Sequence, residues 1–222
     1  MTYAKLLKTF IMKNTLIILL VAMIIMPGID LYAQTFGIKG GLNLSNIIEK
    51  DNTQSYNDKM VPGIHLGATV GIPLSGESIL LEPGILLDMK GSKYEETNYS
   101  ETYVVYYLDI PLNLKVVFGS NKIKAYGTLG PYIGVGLSGK DSWTSAGVKK
   151  SETIKWGNDA NNDLLKRLDY GVGIGAGVIL SSVSVGIDYD LGLANIASDA
   201  SGGYKINNRV LQISIGYLFG KK

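Results

Sequence analysis

The segment VSVGIDYDLGL, residues 183–193, decides the fold of this chain. Its apolar residues occupy every second position, and Ser, Gly and Asp fill the positions between them. Successive side chains of a β-strand point to opposite faces of a sheet, whereas a helix repeats about every 3.6 residues. The strict two-residue alternation therefore predicts a strand with one apolar and one polar face.

The same alternation recurs in seven other segments of about ten residues or more, which is long enough to cross a membrane at a tilt. They begin at Phe36, Ile64, Leu81, Tyr106, Ile123, Tyr170 and Leu211. A soluble β-sandwich also alternates, but its strands average only about five or six residues. Because the polar face here combines Gly with charges, as suits a narrow interior, the pattern favours apolar side chains facing lipid. We predict an all-β fold, an eight-stranded antiparallel up-and-down transmembrane β-barrel.

The segments between these strands alternate in length. Three connections are short and rich in turn residues, at 75–78, 119–122 and 181–182. Four are long and polar, at 46–60, 91–102, 139–163 and 195–208. Short turns on one side and long loops on the other are typical of outer-membrane barrels, whose short turns are periplasmic. Aromatic residues near strand ends are expected to form interfacial girdles. They are Tyr106, Tyr107, Phe118, Tyr189, Tyr217 and Phe219.

Residues 1–33 have the features of a cleavable signal peptide. Lysines precede an apolar run at 16–26, and a small residue, Ala33, follows at the expected cut. A retained membrane anchor is the alternative, but a spanning helix needs about twenty apolar residues. We therefore predict a barrel domain over residues 34–222, located in the outer membrane of a Gram-negative cell. Its expected partners are outer-membrane lipid and the outer-membrane insertion machinery.

Composition excludes several classes of function. The chain has no Cys, so it has no disulfides, thiolate metal site or Cys nucleophile. Its net charge of +2 gives no indication of nucleic-acid binding. The sequence offers no cluster of metal ligands, and we expect no cofactor.

Six short motifs, in order along the chain, resemble the PorT-like outer-membrane β-barrel family. They are GIKGGLNLS (37–45), EPGI (82–85), KG (90–91), LDIPLNLK (108–115), GTLGPY (127–132) and ISIGYLF (213–219). The resemblance spans the mature chain and implies an eight-stranded barrel in the outer membrane. It implies little about activity, because the family is broad. The ending departs from the commonest outer-membrane pattern, since three residues follow the last aromatic, Phe219.

The inward faces of the predicted strands collect a set of charges. They are Lys39, Glu82, Asp88, Lys90, Asp109, Lys115, Lys124, Asp188 and Asp190. Buried charges must pair, and four bases nearly balance five acids. We expect Glu82 and Asp109 to pair with Lys115, Lys39 or Lys124. Since eight strands enclose a space that side chains just fill, a plugged lumen is favoured over a water-filled pore.

Catalysis is not expected. Some small outer-membrane barrels modify lipids through a Ser-His-acid arrangement, and His65 is the only histidine here. A lone inward histidine beside acids is more often a member of a packed network. The glycine run at 171–177 lacks the helix that a nucleotide-binding loop opens onto, so its two-residue period marks a strand's inner face.

The long connection at 139–163 contains Trp143, Trp156 and several lysines. Exposed tryptophans are unfavourable unless they pack or take part in binding. Either this loop folds over the barrel mouth, which we favour, or loop 139–163 binds an extracellular partner.

Overall fold

The computed structural model describes residues 35–52, 55–76, 78–120 and 123–220. The predicted signal peptide, residues 1–33, lies outside them. The described residues form ten strands. They are β1 (Thr35–Lys50), β2 (Ser55–Asn57), β3 (Val61–Ser75), β4 (Ile79–Glu96), β5 (Tyr99–Ser120), β6 (Ile123–Ser145), β7 (Val148–Thr153), β8 (Leu168–Leu180), β9 (Val183–Gly192) and β10 (Lys205–Phe219).

Eight of these strands form a closed antiparallel ring. The order is β1, β3, β4, β5, β6, β8, β9 and β10, and β10 pairs again with β1. The short strands β2 and β7 pair outside the ring, with β1 and β6 respectively. The predicted eight-stranded up-and-down barrel is therefore confirmed. No helix of the described segments is long and apolar enough to span a membrane.

Burial along the strands follows the predicted alternation. Leu42 is 61% exposed on the outer surface, whereas its neighbour Asn43 is fully buried in the lumen. Ile187 and Ile215 are likewise exposed, at 49% and 62%. A soluble protein buries its apolar side chains in a core. This barrel does the reverse over a continuous outer band, and lipid is the solvent that makes that arrangement stable.

Three of the four predicted long loops are largely wrong, and in 46–60 the end of β1 and the short strand β2 occupy more than half of the segment. Most of 91–102 and the first part of 139–163 form strands, because β4, β5 and β6 continue beyond the lipid-facing band. The hairpin between β6 and β7 turns at Ala146 and Gly147, whose φ angles of 48° and 82° suit a type I′ turn. The polar composition suggested loops. However, a strand surrounded by water needs no apolar outer face, so polarity alone does not mark its end.

Two girdle residues occupy opposite faces, although both were expected at the lipid boundary. Tyr106 is 45% exposed on the outer surface, whereas Tyr107 is fully buried inside the barrel. Adjacent residues of a strand face opposite sides, so only one of the pair can face lipid.

Candidate functional site

The most buried charged group of the lumen is centred on Lys90. Its ammonium lies 2.8 Å from Asp109 Oδ2 and 3.4 Å from Asp169 Oδ2. None of the three side chains is more than 5% exposed. Lys90 Nζ also lies over the ring of Tyr107, 4.6 Å from the centroid, and 5.0 Å from that of Tyr132. One base is thus held between two carboxylates and two aromatic faces, which both attract a desolvated cation.

Asp169 is held in place by neutral donors as well. Its Oδ2 accepts hydrogen bonds from Asn208 Nδ2 at 2.9 Å and from Tyr132 Oη at 3.3 Å. Asp169 is not among the predicted inward charges, because the predicted strand begins one residue later, at Tyr170. The available signal was the same alternation, which places Asp169 on the inner face with Gly171.

A second polar network joins four strands around His65. The two ring nitrogens of His65 lie 2.7 Å from Asn43 Oδ1 and 2.9 Å from Ser214 Oγ. Asn43 and Gln212 donate their side-chain amides to Asp88 Oδ1, at 3.1 and 2.9 Å. Asp88 is therefore bound by amides and forms no ion pair with a lysine among the residues described here.

Two ion pairs occupy the half of the lumen nearer the short turns. Lys115 Nζ lies 2.6 Å from Glu82 Oε2 and 4.4 Å from the centre of the Tyr126 ring. Lys39 Nζ lies 3.7 Å from Asp188 Oδ2. The side chains of this second pair are 21% and 15% exposed, so water screens it more than the first.

The glycine run on β8 has a packing role in this lumen. A Cβ at Gly175 would clash with the Asp188 carboxylate, and one at Gly173 would come too close to Asp190. Both carboxylates belong to β9, the neighbouring strand. The run therefore leaves room for acids of the adjacent strand.

The structure thus brings most of the predicted inward charges close to one another. Of the two predicted pairings, Glu82 does pair with Lys115. The expectation for Asp109 is wrong, because Asp109 forms its ion pair with Lys90 on the neighbouring strand β4. Lys124 is half-buried near the beginning of β6, and Asp190 lines a small lumen cavity.

Two small cavities lie between the described side chains of the lumen, and each measures about 30 Å³. That volume corresponds to the space that one or a few water molecules occupy. A metal site is not evident either, since no described group of three or more His, Asp or Glu side chains could hold an ion.

Segments 154–167 and 193–204, here called the cap, cover the end of the barrel opposite the short turns. Their apolar side chains pack against inward-facing residues near the ends of β1, β5 and β10. The buried cluster comprises Ile47, Val105, Tyr107, Ile154, Leu165, Ala194, Ile196, Ala197 and Ile206. Trp156 stacks edge-on against Tyr107, with ring centroids 5.7 Å apart. The second half of the predicted loop 139–163 therefore folds over the mouth.

Comparison with known families now assigns the barrel. The model of the outer membrane protein beta-barrel domain matches residues 32–198. The chain belongs to this family. It is an outer-membrane β-barrel protein, and its location is the cell outer membrane. No curated protein matches the chain significantly.

Several solved outer-membrane proteins are similar in structure. OprG of Pseudomonas aeruginosa is 14% identical, with 86% of this chain and 98% of that chain covered and a TM-score of 0.45. Ail, the attachment invasion locus protein of Yersinia pestis, is 15% identical over 83% and 98%, with a TM-score of 0.42. Neisserial surface protein A is 12% identical over 84% and 97%, with a TM-score of 0.39. At these identities no function carries over from these proteins.

Proposed function

We propose that this protein is a plugged outer-membrane barrel with a structural or interaction role, exercised through its extracellular end. The observation that carries this proposal is the group of Lys90, Asp109 and Asp169, which crosses the lumen almost without solvent exposure. Charges in a water-filled pore keep their hydration, whereas Lys90 here forms ion pairs with both carboxylates in place of water. Apolar side chains of the cap pack against the ends of β1, β5 and β10 on the same side of the barrel.

Conductance in planar bilayers tests the plug. The wild-type protein is expected to insert without producing steady single-channel steps. A triple variant, Lys90→Ser, Asp109→Ser and Asp169→Ser, removes the bulk and the pairing of the central group and is expected to conduct. The matched control replaces three exposed charges of β7, Lys149→Ser, Lys150→Ser and Glu152→Ser, and should remain silent. Steady steps from the wild type would contradict the plug.

A small cation-selective pore is the second candidate. The lumen group of Glu82, Asp88, Asp109, Asp169, Asp188 and Asp190 has more members than its lysines, which are Lys39, Lys90, Lys115 and Lys124, so this set has an excess of acid. An acidic lining attracts cations and repels anions. Lys39 and Asp188, the more exposed pair, also border both small cavities. Steps in the wild type that reverse at the potassium potential in a KCl gradient would favour this pore.

We also propose that the protein has no catalytic activity, including on lipids. The relay from Ser214 through His65 to Asn43 has the spacing of a hydrolytic triad. However, Ser214 is 6% and His65 3% exposed, and both side chains face the lumen rather than the lipid. No acyl chain fits a neighbouring cavity of about 30 Å³. The folded protein should resist labelling by a fluorophosphonate; labelling that Ser214→Ala abolishes would refute the proposal.

Within the family, we propose the PorT-like subgroup, supported by the six motifs of the sequence. For its partners we propose outer-membrane lipid and the insertion machinery, and no nucleic acid. Depletion of the insertion machinery should reduce the heat-modifiable, folded band on gels. An undiminished folded band would show that assembly takes another route.

A further inference from the structure

A cavity of about 210 Å³ lies inside the cap, beside the apolar cluster. Its walls come from the ends of the barrel strands and from both cap segments. The larger apolar residues of the lining are Ile47, Val105, Leu164, Leu165, Ile196 and Ile206. It is far larger than either lumen cavity, each of about 30 Å³. Engineered apolar cavities of about 150 Å³ stay dry and bind benzene, so this one has room for a single-ring molecule with a short side chain.

The cavity is held open by polar anchors of the cap backbone. The Asn195 side-chain oxygen accepts hydrogen bonds from the backbone N–H groups of Ala197 and Ile206, at 3.1 and 3.0 Å. Its amide donates to the backbone oxygen of Tyr204 at 2.9 Å. A single side chain thus fixes the loop that forms one wall. A preformed site reduces the ordering entropy that binding must overcome.

The polar lining of the cavity is acidic. Glu49, Asp163 and Asp199 contribute carboxylates, whereas no Lys or Arg is among the described lining residues. Glu49, which lies above the lipid-facing band, is half-buried and accepts a hydrogen bond from Tyr204 Oη at 2.8 Å. Burial is the main cause that raises the pKa of Glu49, because it removes water from the carboxylate. Within the described chain, none of the three acids forms an ion pair.

We propose that the cap cavity binds a small primary amine with an apolar body, such as a one-ring arylalkylamine. The ring or short chain would pack against the apolar walls, and the ammonium would lie beside the Glu49 carboxylate. Tyr103 and Tyr204 also border the cavity, and their ring faces attract cations. The inference is independent of whether the lumen conducts, since binding and conductance are measured separately.

Equilibrium dialysis with the full-length protein in nanodiscs tests this inference. The probes are 2-phenylethylamine, the neutral 2-phenylethanol and the anionic phenylacetate, which share one ring and a similar length. The amine should bind saturably, and at least about tenfold more tightly than either of the others, as a charge-assisted hydrogen bond implies. Glu49→Gln should weaken amine binding by about tenfold and leave the alcohol unchanged.

A cavity-filling variant distinguishes amine binding in the cavity from uptake of the amine by the surrounding lipid. Ala160 lies on the lining and is exposed, so Ala160→Trp should abolish saturable amine binding without disturbing the barrel. Ala200→Trp, on an exposed cap residue outside the lining, is the matched control and should bind normally. Heat-modifiability on gels checks that each variant is folded. Equal binding by wild type and Ala160→Trp would overturn the site, and equal binding of amine and alcohol would overturn the ligand class.

Discussion

The lumen and the cap use the same strands with opposite polarity. On β1, the inward positions are Asn43 and Ser45 within the lumen, then Ile47 in the cap cluster. The outward positions change the other way, from Leu42 at the lipid surface to Lys50 at the strand end. Alternate residues of β1 continue to face inward and outward along its whole length. What reverses is which of the two faces carries the apolar residues.

This reversal shows how the surrounding solvent determines where apolar side chains lie. In the lipid band there is no hydrophobic gain in burying an apolar side chain, so the interior is fixed by ion pairs and hydrogen bonds. Above the band, water is outside, and burial of apolar area again contributes about 25 cal/mol per Å². The lumen should therefore be sensitive to removal of one polar partner, and the cap to loss of apolar volume.

The largest expected effect comes from removing the central cation. Lys90→Met leaves Asp109 and Asp169 facing each other without a counter-charge, which costs about 3–5 kcal/mol. Urea titration of the barrel in lipid vesicles measures the loss. Adding Asp109→Asn and Asp169→Asn to the variant should restore most of the stability. Lys140→Met, on an exposed residue of β6, is the control, and a similar loss there would contradict a specific role for Lys90.

A charge on the lipid face tests the other side of the same barrel wall. Ile187 lies near the middle of the outer band, so Ile187→Arg should destabilise the folded barrel by about 2–4 kcal/mol. Ile187→Leu keeps the face apolar and should have little effect. Labelling of single-Cys variants gives an independent check, because residue 187 should react with lipid-soluble reagents and residue 188 should not.

Loss of volume in the cap should be felt locally. Ile196 is 1% exposed, and Ile196→Ala removes buried methyl groups at a cost of about 2–5 kcal/mol. Hydrogen exchange of the cap amides should accelerate while exchange in the lipid band stays slow. Val148→Ala, on the exposed hairpin, should leave both unchanged. Acceleration throughout the barrel would mean that the cap and the barrel unfold as one unit.

The smallest expected effect is the difference in coupling free energy between a buried and an exposed ion pair. A double-mutant cycle on Glu82→Gln and Lys115→Met should give a coupling of about 0.5–3 kcal/mol, because both side chains are almost completely buried. The same cycle on Lys59 and Glu95, an ion pair at the exposed end of β4, should be additive within error. Additivity at Glu82 would mean that water screens the lumen, as the pore requires.

The sequence predicted the strands inside the lipid much better than those outside it. Within the band, lipid requires every outward residue to be apolar, so alternation marks positions such as Ile187 and Asp188 without ambiguity. Beyond the band this requirement ends. The polar sequences that continue β4 to Glu96 and β6 to Ser145 were therefore predicted as loops. Asp169 was missed as an inward charge for the same reason, because it lies at the outer edge of the band and is preceded by a polar segment.

The sequence by itself determined the parity of the barrel: which residues face lipid and which face the lumen follows from a two-residue period and one apolar face. Only the tertiary structure decided the partners. Lys90 binds Asp109 and Asp169, and Asp88 is bound by two amides, because strand register and side-chain reach choose among many inward charges. The cap cavity was also invisible to periodicity, since it is formed by irregular segments whose contacts with the strand ends are set by packing alone.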